Sequence, residues 1–533
     1  MSFRRLVPTV TILAVFAMAL RFSIGPDTYW HLRAGDWILT EGSLLKVDPF
    51  SLTRFGSEWI YPGWLAQIAL IAAYQLLGFP GLNLLTALVV AAAFGFLWST
   101  MQGRPLLRAF VLLLAATSSA VYWSARPHIF TFLFTAATLW GLAKFWRDGS
   151  RVIWLLPVLT AVWANVHGGF VIPILLIGLE LLAGVIGLLL PKLRIAISGT
   201  GGDRDLDGDG APITGSGNQL AAARVGERSR MDPGDAIRDL APRSAAEPDR
   251  NAGRLKTLAG VGLASAAAIV INPFGLDMFG YPLRTLSIGV LQDFIQEWQS
   301  PNFHQIEVQP FLWLLLLVLA ATAISPKRPT AIELVHVGLF AYLGFLAARN
   351  IALFALVAAP VLSRHLNAIL SKWLPPRSSK QELPARLTRP LNGVLLALIA
   401  FAAFVKGALP LSSQFNEKTI AENMPARAVD YIRVNRPEGP LWNSYNWGGY
   451  VLWRLYPEYL SFVDGRTDLF DDAILEEYLD VWRGRDGWQE VLDRWRIRTV
   501  LVERDAPLVR ELLSEGWIEV YADDQASVFT GPN

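Results

Sequence analysis

A short segment near the start of the chain has residue types and spacing suited to acid–base or metal chemistry. Residues 27–33 read Asp-Thr-Tyr-Trp-His-Leu-Arg, so Asp27 and His31 are four positions apart and share a face if the segment is helical. Such a carboxylate and imidazole can act as a base and its orienting partner, or can bind a divalent cation such as Mg²⁺ or Mn²⁺. The alternative is a salt-bridged interfacial helix that Asp27 caps.

Polar side chains also occur at the ends of long hydrophobic stretches. Ionisable groups are costly at membrane depth and therefore usually mark function. The residues concerned are Arg126, His128, Asn165, His167, Asn272, Arg349 and Asn350. Because the turns that carry them are short, the sequence predicts that they converge with Asp27 on one cavity.

Several of these residues have a functional and a structural interpretation. Arg126 and Arg349 match phosphate oxygens in a bidentate fork, or are charges that snorkel from the end of a span. His167 precedes two glycines that permit close backbone approach, although a histidine packed between helices fits the same pattern. Asn272 precedes a proline and can simply end a helix.

The loop 275–310 contributes two further candidates. Glu297 is a possible second carboxylate for the cavity, and Trp298 can stack on a sugar or anchor the chain at the membrane interface. The later turn 464–468 reads Asp-Gly-Arg-Thr-Asp and is interpreted as structural, with an internal salt bridge.

The composition around these residues is that of a membrane protein. Hydrophobic residues make up 53% of the 533 positions and charged residues 17%, and the mean hydropathy is +0.36. A soluble domain has about 25% charged residues. The net charge of +2 lacks the basic excess of a nucleic-acid-binding protein, so no nucleic acid is expected as a partner. The absence of cysteine excludes disulfides and thiolate chemistry.

Stretches of about 20 apolar residues are long enough to cross a bilayer. We predict eleven spans, at 6–24, 82–101, 109–124, 128–146, 152–170, 171–190, 257–274, 311–325, 332–348, 351–362 and 391–411. The apolar segment 63–78 is placed along the membrane surface, because counting it as a span would invert every later loop. Basic loops then lie in the cytoplasm, which favours a multi-pass protein of the bacterial inner membrane with its N-terminus inside.

These spans divide the chain into a membrane domain, 1–411, and an α/β domain outside the membrane, 412–533. Residues 25–81 are the first outer loop with its juxtamembrane helices, and residues 191–256 are predicted to be a disordered cytoplasmic loop. In the second domain, helix-like stretches alternate with strand-like ones. The helices are expected at 427–435, 470–482, 488–496 and 507–515, and the strands at 460–463, 498–503, 517–521 and 526–530.

A first outer loop that opens with an acid, followed by a helical bundle and a C-terminal outer domain, resembles the GT-C superfamily of integral-membrane glycosyltransferases. Residues 27–33 are similar to the acidic first-loop motif of oligosaccharyltransferase catalytic subunits. A group of bacterial membrane proteins is similar over most of the chain, in an Asn-x-His-Gly-Gly turn, an Arg-Asn-x-Ala-Leu-Phe run and Trp-Gly-Gly-Tyr and Asp-Gly-Arg segments. In this chain the four motifs are at 165–169, 349–354, 447–450 and 464–466. The Trp-Trp-Asp-Tyr-Gly motif of oligosaccharyltransferases is absent.

The resemblance implies a GT-C-like fold and an inverting glycosyltransferase. This enzyme would move a sugar from a polyprenyl-phosphate-linked donor, reached from the membrane lipid, to a hydroxyl of a glycan or protein outside the cytoplasm. Asp27 would be the general base, and a divalent cation would rest on Asp27 and His31. Donor-phosphate contacts would come from Arg126, His128, His167, Arg349 and Asn350. Substrate contacts or support would come from Trp30, His31, Arg33, Asn165, Asn272, Glu297 and Trp298.

Two other classes of function stay open. A transporter or flippase of lipid-linked saccharide would also place polar groups in a helical bundle, and a non-catalytic protein of cell-envelope assembly would retain the same fold. Transporter halves usually show internal repeats, and none is apparent here. The polar residues gather on one membrane face, which favours chemistry over transport.

Overall fold

The computed structural model describes residues 2–199, 248–286, 289, 295, 297–373 and 385–532. The described residues before 411 are mostly helical. Its helices are α1 (Phe3–Ala19), α2 (Pro26–Glu41), α3 (Trp64–Leu77), α4 (Phe79–Thr100), α5 (Pro105–Ser119), α6 (His128–Asp148), α7 (Leu156–Trp163), α8 (Ile172–Gly199), α9 (Pro248–Ala268), α10 (Tyr281–Leu286), α11 (Gln309–Ile324), α12 (Ala331–Leu346), α13 (Ile351–Trp373) and α14 (Ala385–Ala408).

Many of these helices are suited to a membrane. Within the described ranges, six helical stretches are long and apolar enough to cross a bilayer: Phe79–Thr100, Pro105–Tyr122, His128–Asp148, Gly168–Gly187, Ala348–Trp373 and Pro390–Ala408. Four shorter apolar helices are Trp64–Leu77, Arg151–Trp163, Gln309–Ile324 and Ala331–Leu346. The helical membrane architecture is therefore confirmed, whereas the predicted number of eleven spans is not.

Helix α13 lies at the centre of the bundle. Every side chain from Ile351 to Ala359 is at most 8% exposed, as expected for a helix that is apolar on all sides. It packs against α5, α11 and α12. Arg349 lies two residues before the start of this helix, so a rigid central element fixes the position of this arginine.

The predicted cytoplasmic loop 191–256 is flanked by longer helices than the sequence suggested. Helix α8 continues to Gly199, and α9 begins at Pro248. Residues 200–247, the greater part of this loop, lie outside the described residues.

The C-terminal part is an α/β domain, as predicted. Its elements are α15 (Ser413–Asn423), α16 (Ala426–Asn435), β1 (Leu441–Asn443), α17 (Tyr445–Leu455), α18 (Asp472–Arg483), α19 (Trp488–Arg494), β2 (Thr499–Glu503), α20 (Pro507–Ser514), β3 (Ile518–Ala522) and β4 (Ala526–Thr530). The sheet order is β1-β2-β4-β3, with β1 parallel to β2 and the other pairs antiparallel. The expected strand at 460–463 is absent from this sheet, and only Ser461 bridges, to Ser51 of the first loop. The three-residue strand β1 is too short for the sequence to indicate it.

Two glycines allow the C-terminal domain to pack closely on the first loop. A Cβ atom on Gly449 would lie 2.7 Å from the Pro26 carbonyl oxygen, and one on Gly448 would overlap the Val463 carbonyl. Helix α17 therefore rests on the start of α2 with almost no gap. The Trp-Gly-Gly-Tyr segment thus has a packing role.

A buried ion cluster joins the same two parts. The Arg466 side chain is fully buried and donates to Asp48 (2.5 Å) and, through Nη2 and Nε, to Asp464 (2.7 and 2.8 Å). Since Asp48 belongs to the first loop, Arg466 links elements that are far apart in the chain. The turn 464–466 is therefore structural, as the sequence suggested.

Candidate active site

One cavity of about 750 Å³ collects most of the polar residues that the sequence singled out. It lies between the bundle and the C-terminal domain, and we call it the Asp27 cavity. The predicted residues in its lining are Asp27, Trp30, His31, Arg126, His128, His167, Glu297, Trp298 and Arg349. The fold therefore brings these predicted residues together around one cavity, as expected from the sequence.

The start of α2 positions Asp27. Pro26 is the first residue of the helix, where its missing N–H costs nothing, and Asp27 follows in the first turn. The Gly25 N–H donates to Thr28 Oγ1 (3.1 Å), and the Thr28 hydroxyl donates to the Ala125 carbonyl (3.2 Å). This last bond holds the loop after α5 against α2, so the residue after Ala125 lies beside Asp27.

That residue, Arg126, binds two carboxylates. Its Nη1 is 2.7 Å from Asp27 Oδ2, its Nη2 contacts Glu297 Oε1, and its Nε donates to Ser124 Oγ (3.1 Å). Burial raises the pKa of Asp27, although the charge of Arg126 opposes this shift. Burial also acts to raise the pKa of Glu297, but the nearby Arg126 outweighs it and the pKa is lowered. The positive charge of Arg126 is thus balanced by the two carboxylates, and Arg126 fixes their positions.

Two of the three histidines in the cavity lining, His128 and His167, present different atoms to a ligand. His167 Nδ1 accepts the Gly169 N–H (3.2 Å) and lies 2.8 Å from Thr131 Oγ1, so the neutral ring carries its proton on Nε2. His128 Nε2 lies 2.7 Å from the Tyr122 carbonyl oxygen. Because a carbonyl can only accept a hydrogen bond, the Nε2–H of His128 donates to it. A neutral His128 offers only an acceptor, whereas His167 retains an N–H donor for a phosphate oxygen.

Arg349 is a cation without an acidic partner. Its guanidinium carbon lies 4.3 Å from the centre of the Trp298 ring, a cation–π distance. The loop that carries Trp298 is held in place because the Ala348 N–H donates to the Gln299 carbonyl (3.0 Å) and the Arg349 N–H to the Glu297 carbonyl (3.1 Å). Among the residues described, no carboxylate forms an ion pair with Arg349, so its charge is available to an anionic ligand.

His31 belongs to an aromatic wall of the cavity. It is 3% exposed, and its ring lies 3.5 Å from the Trp30 ring and 5.9 Å from the Tyr61 ring, centre to centre. Burial, with a contribution from the charge of Arg126, lowers the pKa of His31 well below its usual value. The imidazole is therefore neutral at physiological pH.

The C-terminal domain closes the cavity with residues that the sequence did not single out as site residues. They include Gly465, Thr467, Asp468, Tyr478 and Trp482. The Asp468 carboxylate accepts the Trp59 indole N–H (3.3 Å), and burial raises its pKa to about 6. The backbone at Gly465 passes so close to Asp27 that a Cβ atom there would overlap Asp27 Oδ1.

Four predicted site residues lie outside this lining and hold backbone groups instead. Arg33 donates to a carbonyl of α17 (2.8 Å). Asn165 donates to the carbonyl just before Asn272 (2.7 Å), and Asn272 Oδ1 accepts the backbone N–H two residues on (2.7 Å). Asn350 donates to a carbonyl of α12 (3.0 Å). These contacts fix the turns from which the cavity residues project.

The side chains present fit a divalent cation poorly. In the part of the chain that the structure describes, no cluster of three or more His, Asp or Glu side chains could hold a metal ion. Asp27 and Glu297 already share the fixed positive charge of Arg126. A cation on Asp27 and His31 stays a prediction, and no step proposed below depends on it.

No protein-family model and no curated protein matches this sequence. Among solved structures, the chain is similar to the archaeal oligosaccharyltransferase AglB from Archaeoglobus fulgidus in complex with an inhibitory peptide and a dolichol-phosphate. The TM-score is 0.52 at 10% identity, over 94% of this chain and 70% of that one. The apo form of the A. fulgidus oligosaccharyltransferase gives 0.51 at 10% identity, over 93% and 69%. This likeness concerns the fold, and it confirms the expected GT-C-like architecture.

Proposed function

We propose that the chain is an inverting glycosyltransferase that moves a sugar from a polyprenyl-phosphate-linked donor to an acceptor hydroxyl. The observation that carries this proposal is the Asp27 cavity. Two carboxylates face one aromatic-lined space there, together with an arginine that has no ion-pair partner among the described residues. The sequence has no Gly-rich loop for a nucleotide, and a lipid-linked donor can enter between apolar helices. The similar A. fulgidus protein was solved with a dolichol-phosphate, a lipid phosphate of this class.

The donor phosphate would rest on Arg349 and His167. Within the described residues, no carboxylate occupies the guanidinium fork of Arg349 and no acceptor occupies the Nε2–H of His167. Hydrogen bonds that involve a charged group are stronger than neutral ones, and they suit both the phosphodiester monoanion of the donor and the phosphomonoester dianion that forms when the sugar leaves. As the bond to the sugar breaks, negative charge grows on the phosphate, and these prepositioned donors stabilise it.

Asp27 would be the general base. The acceptor oxygen forms a bond to the anomeric carbon while the bond from that carbon to the phosphate oxygen breaks. The acceptor proton passes to Asp27, and the electron pair of the broken bond leaves with the phosphate. A single displacement of this kind inverts the anomeric centre. Arg126 holds the Asp27 carboxylate in place through the 2.7 Å contact with Oδ2, so that the carboxylate is positioned to accept the proton.

The C-terminal domain would bind the acceptor. Asp468 has no cationic partner within the Asp27 cavity and can accept a hydrogen bond from a sugar hydroxyl. Trp298 and Trp482 line the same space, and indole rings can pack against a sugar face. We place the reaction on the membrane face that carries the C-terminal domain, which the sequence positions outside the cytoplasm.

The test is turnover by the purified full chain in nanodiscs, with synthetic polyprenyl-phosphate hexoses as donors and oligosaccharide acceptors. The readouts are the release of polyprenyl phosphate and the appearance of an elongated acceptor. We expect Asp27→Asn to reduce turnover by roughly 10²–10⁴-fold, the usual contribution of general base catalysis. Asp36→Asn is the matched control, because Asp36 lies on the same helix outside the cavity and pairs with Arg33 (3.1 Å).

The same preparation separates this proposal from the two other classes of function. A flippase would move the donor between leaflets without releasing polyprenyl phosphate, and an assembly protein would do neither. Translocation without product across the donor panel, or full turnover by Asp27→Asn, would refute the proposed transfer.

A further inference from the structure

A second cavity, of about 500 Å³, lies at the other end of the bundle. Helix α6 shows the separation, because its first residue, His128, lines the Asp27 cavity and Trp146, near its end, lines the second. Eighteen residues of α-helix span roughly 27 Å. Arg349 and Arg364 are related in the same way along α13. We call this second space the Arg254 cavity.

The Arg254 cavity has an apolar wall and a charged mouth. Leu139 and Leu142 of α6 and Leu356 and Val357 of α13 form part of the wall. Leu142, Leu356 and Val357 are buried core residues that present no polar group to the cavity, so this wall suits an acyl chain. The Arg254 cavity therefore combines an apolar part and a charged part, as a binding site for an amphiphile does.

In the described residues, the arginines at the mouth of the Arg254 cavity are not all paired with acids. Arg364 is already paired with Glu333. Arg254 donates to the Trp146 carbonyl at the end of α6 (2.9 Å), and the neighbouring Arg147 is exposed. Neither Arg147 nor Arg254 forms an ion pair with a carboxylate in the described ranges. The remaining acid of the lining is Glu180, within the apolar helix α8.

A buried histidine points to a ligand in the same place. His336 lines the cavity and is 8% exposed, yet its Nε2 has no hydrogen-bond partner among the described residues. A buried polar atom without a partner is costly. A bound phosphate oxygen would supply that partner and would also meet the guanidinium groups of Arg147 and Arg254.

We propose that the Arg254 cavity binds an anionic phospholipid from the leaflet opposite the Asp27 cavity. The phosphate rests on Arg147, Arg254 and His336, and an acyl chain follows the apolar wall of α6 and α13. Basic pockets between transmembrane helices are a general mode of binding for phosphate headgroups. The site is separate from the proposed transfer reaction and does not depend on it.

The test is native mass spectrometry of the full chain, titrated with phosphatidylglycerol or with phosphatidylcholine of the same acyl chains. The Arg349→Gln background removes the free arginine of the Asp27 cavity, so that lipid bound there does not obscure the result. We expect retention of phosphatidylglycerol in preference to phosphatidylcholine. Arg147→Gln and Arg254→Gln should each weaken that retention about fivefold, the contribution of one arginine near an anionic headgroup.

Two controls make the outcome decisive. Arg147 is exposed and forms no ion pair with any of the described residues, so its replacement does not threaten the fold. Lys327→Gln removes the same charge from an exposed position outside the cavity and should leave retention unchanged. Equal retention of the two lipids, or equal weakening by Lys327→Gln, would overturn the proposal. Competition by millimolar inorganic phosphate as effective as by the lipid would identify a free-anion site and would likewise overturn it.

Discussion

Replacement of Arg349 by glutamine tests the assignment of the donor phosphate. The guanidinium group packs 4.3 Å from the Trp298 ring centre and has no acidic partner in the described chain, so its removal exposes no protein carboxylate. A hydrogen bond to a charged group contributes about 1.5–3 kcal/mol. Loss of one such bond should therefore lower kcat/KM for the lipid-linked donor by about 10- to 150-fold.

The assay is the release of polyprenyl phosphate at varied donor concentration, because it separates KM from kcat. A change confined to KM means that Arg349 binds the phosphate equally in the ground and transition states, and a fall in kcat means that it also stabilises the leaving charge. Arg349→Lys retains the charge but lacks the bidentate guanidinium fork. Its kcat/KM should lie between those of the wild type and Arg349→Gln. Arg433→Gln, on the exposed face of the C-terminal domain, is the control. An unchanged kcat/KM in Arg349→Gln, with the fold intact, would refute the reasoning.

Four further results follow from the same geometry. Arg466→Met leaves two buried aspartates without their cation and should lower the free energy of unfolding by about 3–5 kcal/mol in denaturant titrations of the micellar protein; an unchanged midpoint would contradict it. Turnover should fall as the pH drops through about 6, because an ionised Asp468 accepts a stronger hydrogen bond from the acceptor hydroxyl than the protonated acid does, and Asp468→Asn should abolish this inflection. Gly465→Ala should reduce turnover by about 100-fold by displacing Asp27, whereas Gly25→Ala, with no atom within 4 Å of the added carbon, should not. EDTA should leave turnover unchanged, since an arginine already bridges the cavity carboxylates, and loss of activity that Mg²⁺ or Mn²⁺ restores would refute this.

The convergence of the polar residues could be predicted because the chain geometry requires it. Arg126, His167 and Arg349 each lie in a short turn at the end of an apolar segment, and alternate ends of successive spans meet at one face. Their partners could not be predicted. That Arg126 binds Asp27 and Glu297 depends on how the loop after α10 folds back, and no local pattern encodes that contact.

The two aspartates of the turn 464–468 show the same limit. Asp464 is buried in the ion cluster and Asp468 faces the Asp27 cavity, although they are four residues apart in one motif. Only the packing against the first loop distinguishes a structural acid from a candidate site acid. The asparagines 165, 272 and 350 were similarly ambiguous, since an amide that fixes a turn and an amide that contacts a substrate look alike in sequence.

The close passage of Gly465 over Asp27 bears on when the protein gains activity during its synthesis. Ribosomes add about 5–20 residues per second, so Asp27 leaves the ribosome tens of seconds before the backbone that covers it exists. Throughout that interval the bundle can insert into the bilayer and meet lipid phosphates, but the Gly465 backbone that covers the Asp27 carboxylate has not yet been synthesised. Under the proposed function, a nascent or prematurely terminated polypeptide would be inert, and premature cleavage of donor lipids would be avoided without a dedicated inhibitor.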